Sequence, residues 1–213
     1  SIPAGVAALR DTAGEAGIEV DATEDAGAFT EANLARYGAV VFLSTSGEVF
    51  DDAQRAALES YVRGGGGYVG IHAASTTEYG WPFYGDLVAA RFTSHPPVQD
   101  GLLVVEDRDH PATAHLGSTW AWTDEWYEFS GDPRPYVRVL LSVDEASYEG
   151  GAMGEGHPIA WCHQVGAGQC FYTALGHPVE AYDVPEFRAH LIGGVRFMLG
   201  VGAGDGRPVG RGS

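Results

Sequence analysis

Two histidines stand directly after apolar runs of the sequence, where strands of a parallel sheet would end. His72 follows residues 68–71 and is flanked by small residues, and His177 follows residues 170–174. Ligands of open α/β sheets bind at the carboxyl edge of the strands, so two imidazoles there would face one crevice. Imidazole is suited to acid–base catalysis and to metal binding. The alternative is that His72 only closes a turn.

Three carboxylates could complete such a site. Glu180 lies three residues after His177, a spacing at which a carboxylate can orient an imidazole ring. Asp124 and Glu125 lie among aromatic residues, a composition typical of sugar sites, because rings stack on the sugar while acids bind its hydroxyls. The alternative is that these aromatic residues form a lid that packs on the sheet.

The histidines could also hold a metal ion. His72, His177 and one of the three carboxylates would provide three ligands, and the imidazoles would favour zinc. No two of the eight histidines have the i, i+4 spacing of a helical zinc motif, so the ligands would come from separate loops. A metal-free acid–base pair of His72 and His177 is an equal alternative. His190 falls within a predicted helix, where a structural role is expected.

The composition excludes several kinds of partner. The chain has 213 residues and a net charge of −17, so it lacks the basic residues that nucleic acids and anionic membranes require. No apolar run is long enough for a membrane helix. We expect no nucleotide cofactor. Substrates should be neutral or cationic unless a metal or a local basic pocket intervenes.

The elements that must position these residues alternate along the first half of the chain. Helical patterns over residues 1–16 and 51–63 alternate with apolar runs at 18–21, 39–44 and 68–71, which predicts a doubly wound, mainly parallel sheet flanked by helices. Further predicted strands are 102–105, 137–141, 158–162 and 170–174, the last two as a hairpin. Asp183 and Glu186 predict the cap of a final helix. One domain is expected over residues 1–200, followed by a flexible Gly-rich tail at 201–213.

The two cysteines lie on opposite arms of the predicted hairpin. If Cys162 and Cys170 face each other across the turn, they could form a disulfide, and an extracellular location would follow. The alternative is two buried thiols in a cytoplasmic protein.

Several short motifs in order make the chain resemble the ThuA-like (trehalose utilisation) domains, relatives of the class I glutamine amidotransferases. The resemblance covers nearly the whole chain. The motifs are Gly-Ile-His72-Ala, Trp81-Pro82-Phe83-Tyr84-Gly85, Phe92-Thr93-Ser94-His95-Pro96, Asp109-His110-Pro111, Asp124-Glu125-Trp126-Tyr127, His157-Pro158-Ile159-Ala160-Trp161 and Leu175-Gly176-His177.

The resemblance implies a site with changed chemistry. His72 stands where the amidotransferases carry a nucleophilic cysteine, and His177 and Glu180 stand where they carry the other two triad residues. Because imidazole cannot form the thioester of glutamine hydrolysis, glutaminase activity is not expected. The family implies action on sugars, such as cleavage of a 3-keto glycoside by hydrolysis or elimination. It also implies a sugar oxidoreductase partner or a larger multidomain parent chain.

The resemblance assigns roles to the motif residues. His72 and His177 would be bases or metal ligands, Glu180 would orient a histidine, and Asp124 or Glu125 would be a second acid. The expected substrate-binding residues are Trp81, Tyr84, His95, Trp126, Tyr127 and His157. The alternatives are a non-catalytic carbohydrate-binding module and, third, an interaction scaffold with an occluded crevice.

One departure concerns the start of the fold. Domains of this family usually open with a strand before the first helix, whereas this chain starts with the helix. We therefore expect an exposed apolar slot beside residues 40–43 or 69–71, or residues upstream of Ser1.

Overall fold

The computed structural model describes residues 1–200, so the predicted tail at 201–213 lies outside the described residues. The α-helices are α1 (Ile2–Glu15), α2 (Glu31–Leu34), α3 (Asp52–Arg63), α4 (Pro82–Val88) and α5 (Pro185–Met198). The strands are β1 (Ala39–Leu43), β2 (Ser46–Gly47), β3 (Gly67–Ile71), β4 (Thr76–Thr77), β5 (Phe92–Ser94), β6 (Gln99–Val105), β7 (Thr119–Asp124), β8 (Glu128–Phe129), β9 (Arg138–Asp144), β10 (His157–Val165) and β11 (Gly168–Thr173).

Seven of these strands form the main sheet, in the order β1-β3-β11-β10-β9-β6-β7. β1, β3 and β11 pair in parallel, and each later neighbour pairs antiparallel. Strands β1, β3, β11, β9 and β7 therefore point the same way, and β10 and β6 run against them. The predicted α/β fold with a mainly parallel sheet is confirmed. Two short pairs, β2 with β4 and β5 with β8, flank the main sheet.

Helices cover both faces of the sheet. The Phe171 ring of β11 lies against Gly194 of α5, while the next residue, Tyr172, belongs to the opposite face. On that face Tyr68 of β3 hydrogen-bonds to Tyr84 of α4. Successive side chains of a strand point to opposite faces, so this alternation buries the central strands under two helical layers. No helix within residues 1–200 is long and apolar enough to span a membrane.

Local signals account for the helix that precedes β3. Asp51 and Gln54 form the predicted capping box at the start of α3, each side chain bonding the other's backbone N–H. After α3 ends, Gly65 takes a φ of +116°, a conformation that costs glycine least. The predicted cap of α5 is wrong by one residue: the N-cap is Val184, without a side-chain hydrogen bond, because Asp183 still belongs to the preceding 3-10 helix.

The predicted strand at residues 18–21 is not formed. Within residues 1–200 no backbone ladder pairs with this segment, and a strand without a partner leaves its backbone groups unsatisfied. β1 is accordingly the edge of the sheet, with no described strand on its outer side, and Val41 there is 38% exposed. The open strand edge therefore lies beside residues 40–43, the first of the two places where the slot is expected. It does not lie beside residues 69–71, because β3 is paired on both sides.

The hairpin of β10 and β11 forms as predicted, but its register separates the cysteines. Cys162 pairs with Phe171 and Cys170 pairs with His163, so the two cysteines lie on opposite faces of the sheet. They are buried and not joined by a disulfide. The predicted disulfide is wrong by one residue of register, and the expectation of an extracellular location loses its support.

Candidate functional site

The candidate site lies where β3, β11 and β7 end at the same edge of the sheet. His72 directly follows β3, His177 follows β11, and Glu125 directly follows β7. These three strands point the same way, and β3 and β11 are neighbours. The ring centroids of His72 and His177 are 5.4 Å apart, so the two histidines share one crevice as the sequence predicts.

His72 is held in a fixed orientation. Its backbone has a φ of +53°, a region that residues other than glycine seldom occupy and that is often found at functional sites. Its Nδ1 lies 2.9 Å from the carbonyl oxygen of Ala174, which can only accept a hydrogen bond, so Nδ1 carries the proton. The Nε2 lone pair then accepts a hydrogen bond from the Tyr127 hydroxyl at 2.9 Å.

Burial sets the charge of these two partners. Desolvation lowers the pKa of His72 to about 4, outweighing the opposing effects of the Ala174 carbonyl and the Glu125 carboxylate. Burial likewise raises the pKa of Tyr127, with further increases from Glu125 and Asp124. Near neutral pH the site therefore combines a neutral imidazole with a protonated phenol.

Glu125 is the centre of the cluster. Its Oε1 lies 3.1 Å from His177 Nδ1 and 3.5 Å from His95 Nε2, and its Oε2 lies 3.4 Å from His72 Nε2. One carboxylate thus faces three imidazoles from three separate segments of the chain. His95 and His177 are partly exposed, so the cluster opens to solvent on their side. We refer to His72, His95, Glu125, Tyr127 and His177 as the histidine cluster.

Asp124 contacts the backbone and not the histidine rings. It is fully buried, and its carboxylate accepts hydrogen bonds from the backbone N–H groups of Glu125, Gly176 and His177 and from the Trp122 indole. Burial raises the pKa of Asp124, and the four hydrogen bonds oppose that rise. Asp124 therefore ties the end of β7 to the loop that carries His177.

Gly176 allows the loop to make this connection. Its φ of +118° is a conformation that L side chains rarely adopt. A Cβ at this position would lie 2.8 Å from the Tyr182 hydroxyl, so no side chain fits there without a shift.

Several predicted site residues lie outside the histidine cluster. Tyr84 and Trp126 are completely buried: the Tyr84 hydroxyl contacts Tyr68, and the Trp126 indole donates to the carbonyl of Gln99. Neither ring is open to a sugar. Trp81 packs against Phe83 at the start of α4.

His157 and Glu180 are placed differently from each other. His157 is buried behind the cluster, where its Nε2 donates to the carbonyl of Tyr127. Glu180 is exposed and, within residues 1–200, forms no hydrogen bond or ion pair with His177. The His177 ring faces Glu125 instead. His190 is buried and bonded to Ala112 and Thr173, in keeping with its expected structural role.

Three side chains of the cluster fit a divalent metal. His72, Glu125 and His177 each offer one ligand atom, and these atoms lie within 4.8 Å of one another. Because Nδ1 carries the proton, Nε2 keeps a lone pair that a metal ion would take in place of the Tyr127 hydroxyl. The Ala174 carbonyl fixes the ring as metal-binding histidines require. Two imidazoles and one carboxylate form a ligand set found in catalytic zinc sites.

Tyr79 was not identified from the sequence. It is 51% exposed, its hydroxyl donates to the carbonyl of Phe92, and the Phe92 ring lies 4.4 Å from that of Tyr127. An exposed ring is therefore fixed beside the cluster. Its only sequence signal is an aromatic residue in a polar loop, and the φ of +52° at Glu78 that precedes it cannot be recognised in the sequence.

Solved structures resemble this fold. A ThuA-like protein from Bacteroides uniformis has a TM-score of 0.79 and 26% identity over 95% of this chain and 85% of its own. A ThuA-like protein from Parabacteroides merdae has a TM-score of 0.75 and 19% identity over 96% of this chain and 88% of its own. A β-galactosidase from Rahnella sp. R3 has a TM-score of 0.61 and 14% identity over 92% of this chain but 27% of its own, a similarity of fold alone.

No curated protein matches the chain in sequence. The family model described as "ThuA: Trehalose utilisation" matches residues 1–198, which is nearly the whole chain and includes every member of the histidine cluster. The chain therefore belongs to the ThuA family.

Proposed function

We propose that this ThuA domain cleaves an oxidised glycoside, such as a 3-keto disaccharide, by acid–base chemistry at the histidine cluster. The observation that carries the proposal is the single carboxylate, Glu125, facing three imidazoles beside a buried phenol. Such a set can accept, hold and return a proton within one crevice. The description of the matching family, trehalose utilisation, is in keeping with a sugar substrate.

The reaction begins at the carbon next to the ketone. The 3-keto group acidifies the hydrogen on C2, and the Nε2 lone pair of His72, once released from the Tyr127 hydroxyl, takes that proton. The electron pair of the C–H bond forms a C1–C2 double bond while the bond from C1 to the aglycone oxygen breaks. The protonated form of His177, on the exposed side of the cluster, donates a proton to the departing oxygen. The proton held by His72 then passes to His177, so both imidazoles end in their starting state. Addition of water across the double bond completes a hydrolysis, and omission of that step leaves an elimination.

The other members of the cluster support these transfers. Glu125 orients His177 and stabilises positive charge on whichever imidazole is protonated. Tyr127 stays protonated because burial raises its pKa. Its hydroxyl can therefore hydrogen-bond to His72 Nε2 or to an oxygen of the substrate. In the metal version of the site, which is the alternative to this acid–base pair, His72, Glu125 and His177 would hold a divalent ion such as zinc. The ion would polarise the ketone and a water molecule, and the His72 lone pair would bind the metal instead of acting as the base.

The substrate chemistry also points to a reaction partner. A 3-keto sugar arises when a sugar hydroxyl is oxidised, so a sugar oxidoreductase would have to supply it. Tyr79 provides an exposed ring on which the substrate can stack, in place of the buried Trp126.

The test is conversion of 3-keto disaccharides and of their unoxidised parents, with and without a chelator. We expect conversion of the keto forms alone, and His72→Ala should lower the rate about 10²-fold or more. His115→Ala, at an exposed histidine outside the cluster, is the matched control. Loss of activity with chelator and its rescue by zinc would identify the metal version. Unchanged conversion by His72→Ala would contradict the proposal. Binding of the keto sugars without conversion by the wild-type protein would favour a non-catalytic carbohydrate-binding module.

A further inference from the structure

A groove of about 420 Å³ opens on the surface next to the histidine cluster. It is lined by Pro96, Pro97, Gln99, Glu149 and Gly150. None of these residues takes part in the proton transfers described above. The volume lies in the range of small-molecule sites.

His95 connects the groove to the cluster. Its Nε2 lies 3.5 Å from Glu125, and its Nδ1 donates to the carbonyl of Pro96 at 2.9 Å. A single imidazole ring thus contacts both the central carboxylate and a wall of the groove. The groove and the cluster are therefore adjacent through His95 and Pro96.

Hydrogen bonds of the Gln99 side chain fix the walls of the groove. The Gln99 amide donates to the carbonyls of Pro97 and Glu149 and accepts from the Glu149 N–H. The two bonds to Glu149 join loops that are fifty residues apart, and the bond to Pro97 is local. Gly150, with a φ of +90°, leaves the groove open, because a Cβ there would approach Pro96 to 3.1 Å.

We propose that this groove is a second sugar subsite, which binds the leaving half of a disaccharide substrate. The proposal rests on the proposed function and names its substrate class. The proline rings offer flat apolar surfaces to the C–H face of a pyranose, and the exposed Glu149 carboxylate can accept hydrogen bonds from sugar hydroxyls. That carboxylate also disfavours an anionic occupant.

The test compares a 3-keto glucosyl disaccharide with methyl 3-keto-glucoside, which lacks the second ring. Glu149→Ala removes the hydroxyl acceptor, and Gly150→Asn narrows the groove with a side chain that tolerates positive φ. We expect each variant to raise Kd and KM for the disaccharide about tenfold, a change of about 1.4 kcal/mol, and to leave those for the methyl glycoside unchanged. Glu155→Ala, at an exposed glutamate outside the groove, should change neither.

Equal effects on both ligands, or no effect on either, would overturn the subsite. Kd measured by calorimetry keeps this result separate from catalysis. If the wild-type protein converts neither compound, the proposed function fails, and the subsite is then judged by Kd alone. Equal wild-type affinity for the two ligands would overturn it.

Discussion

At the scale of single residues, the position of a carboxylate decides its role. The sequence predicts both Glu125 and Glu180 to lie near His177. In the structure only Glu125 contacts the His177 ring, and the Glu180 side chain is exposed to solvent. Glu125 also faces His72 and His95. The charge that organises the imidazoles therefore comes from the segment after β7, and not from the turn that follows His177.

Glu125→Gln tests this assignment, because it keeps the shape of the side chain and removes its charge. We expect loss of turnover by about 10²-fold or more, since the imidazoles lose the group that stabilises their protonated form. Glu180→Gln should retain turnover. Both variants are measured as kcat on the 3-keto substrate. The control is Glu19→Gln, at an exposed position that is distant in sequence from the cluster residues. A larger loss for Glu180→Gln than for Glu125→Gln would reverse the assignment.

Asp124 has a positioning role that predicts a different result. Asp124→Asn replaces one acceptor oxygen by an N–H₂ group among four hydrogen-bond donors. We expect unfolding free energy to fall by about 1–3 kcal/mol, the cost of leaving buried groups unsatisfied, together with a lower kcat. Asp11→Asn, on the exposed side of α1, is the control for denaturant unfolding. Reduced activity with unchanged stability would instead indicate direct participation in the chemistry.

At the scale of elements, the sequence predicted those whose signals are local. The capping box of α3, the apolar run of β1 and the turn between β10 and β11 all form where residue types within a few positions specify them. The segment 18–21 has the same local signal but no strand among residues 1–200 to pair with. Whether an apolar run becomes a strand depends on a distant partner, which local pattern does not contain.

The residues of the site likewise fall into those that the sequence could place and those that it could not. His72 and His177 could be brought together from strand ends alone, since parallel strands end at one edge. Trp126 and Tyr84 could not be excluded as sugar contacts, because their burial depends on packing against β6 and β3. The importance of His95 within the cluster likewise arises from the short β5–β8 pair that carries it.

The hairpin register gives a prediction at this scale. Cys162 and Cys170 lie on opposite faces of the sheet, so their thiols cannot meet without a one-residue slip, which would turn every side chain of a strand over. We expect the unreduced protein, once denatured, to take up two equivalents of an alkylating reagent by mass spectrometry. Native protein should react slowly, because both residues are buried. A mass without added alkyl groups would show a disulfide and a shifted register.

At the scale of the whole molecule, several histidines are buried away from the site. His190 is completely buried between α5 and β11, and His110 lies against the rings of Phe171 and Phe197. Burial lowers the pKa of His190 to about 3 and that of His110 to about 4. The folded protein therefore keeps both imidazoles neutral well below the pH at which the unfolded chain protonates them.

This difference predicts a loss of stability in mild acid. Below the unfolded pKa of about 6.5, the unfolded state binds protons that the folded state does not, so the free energy of unfolding falls as pH falls toward the folded values. Between pH 7 and pH 5 each histidine contributes a loss of about 2 kcal/mol. His190→Gln can keep both hydrogen bonds of the ring without titrating, so its unfolding free energy should depend less on pH than that of the wild type. His115→Gln, at an exposed histidine, should keep the wild-type dependence. Denaturant unfolding of the three proteins at both pH values is the measurement, and the same pH dependence in His190→Gln as in the wild type would contradict a neutral buried His190.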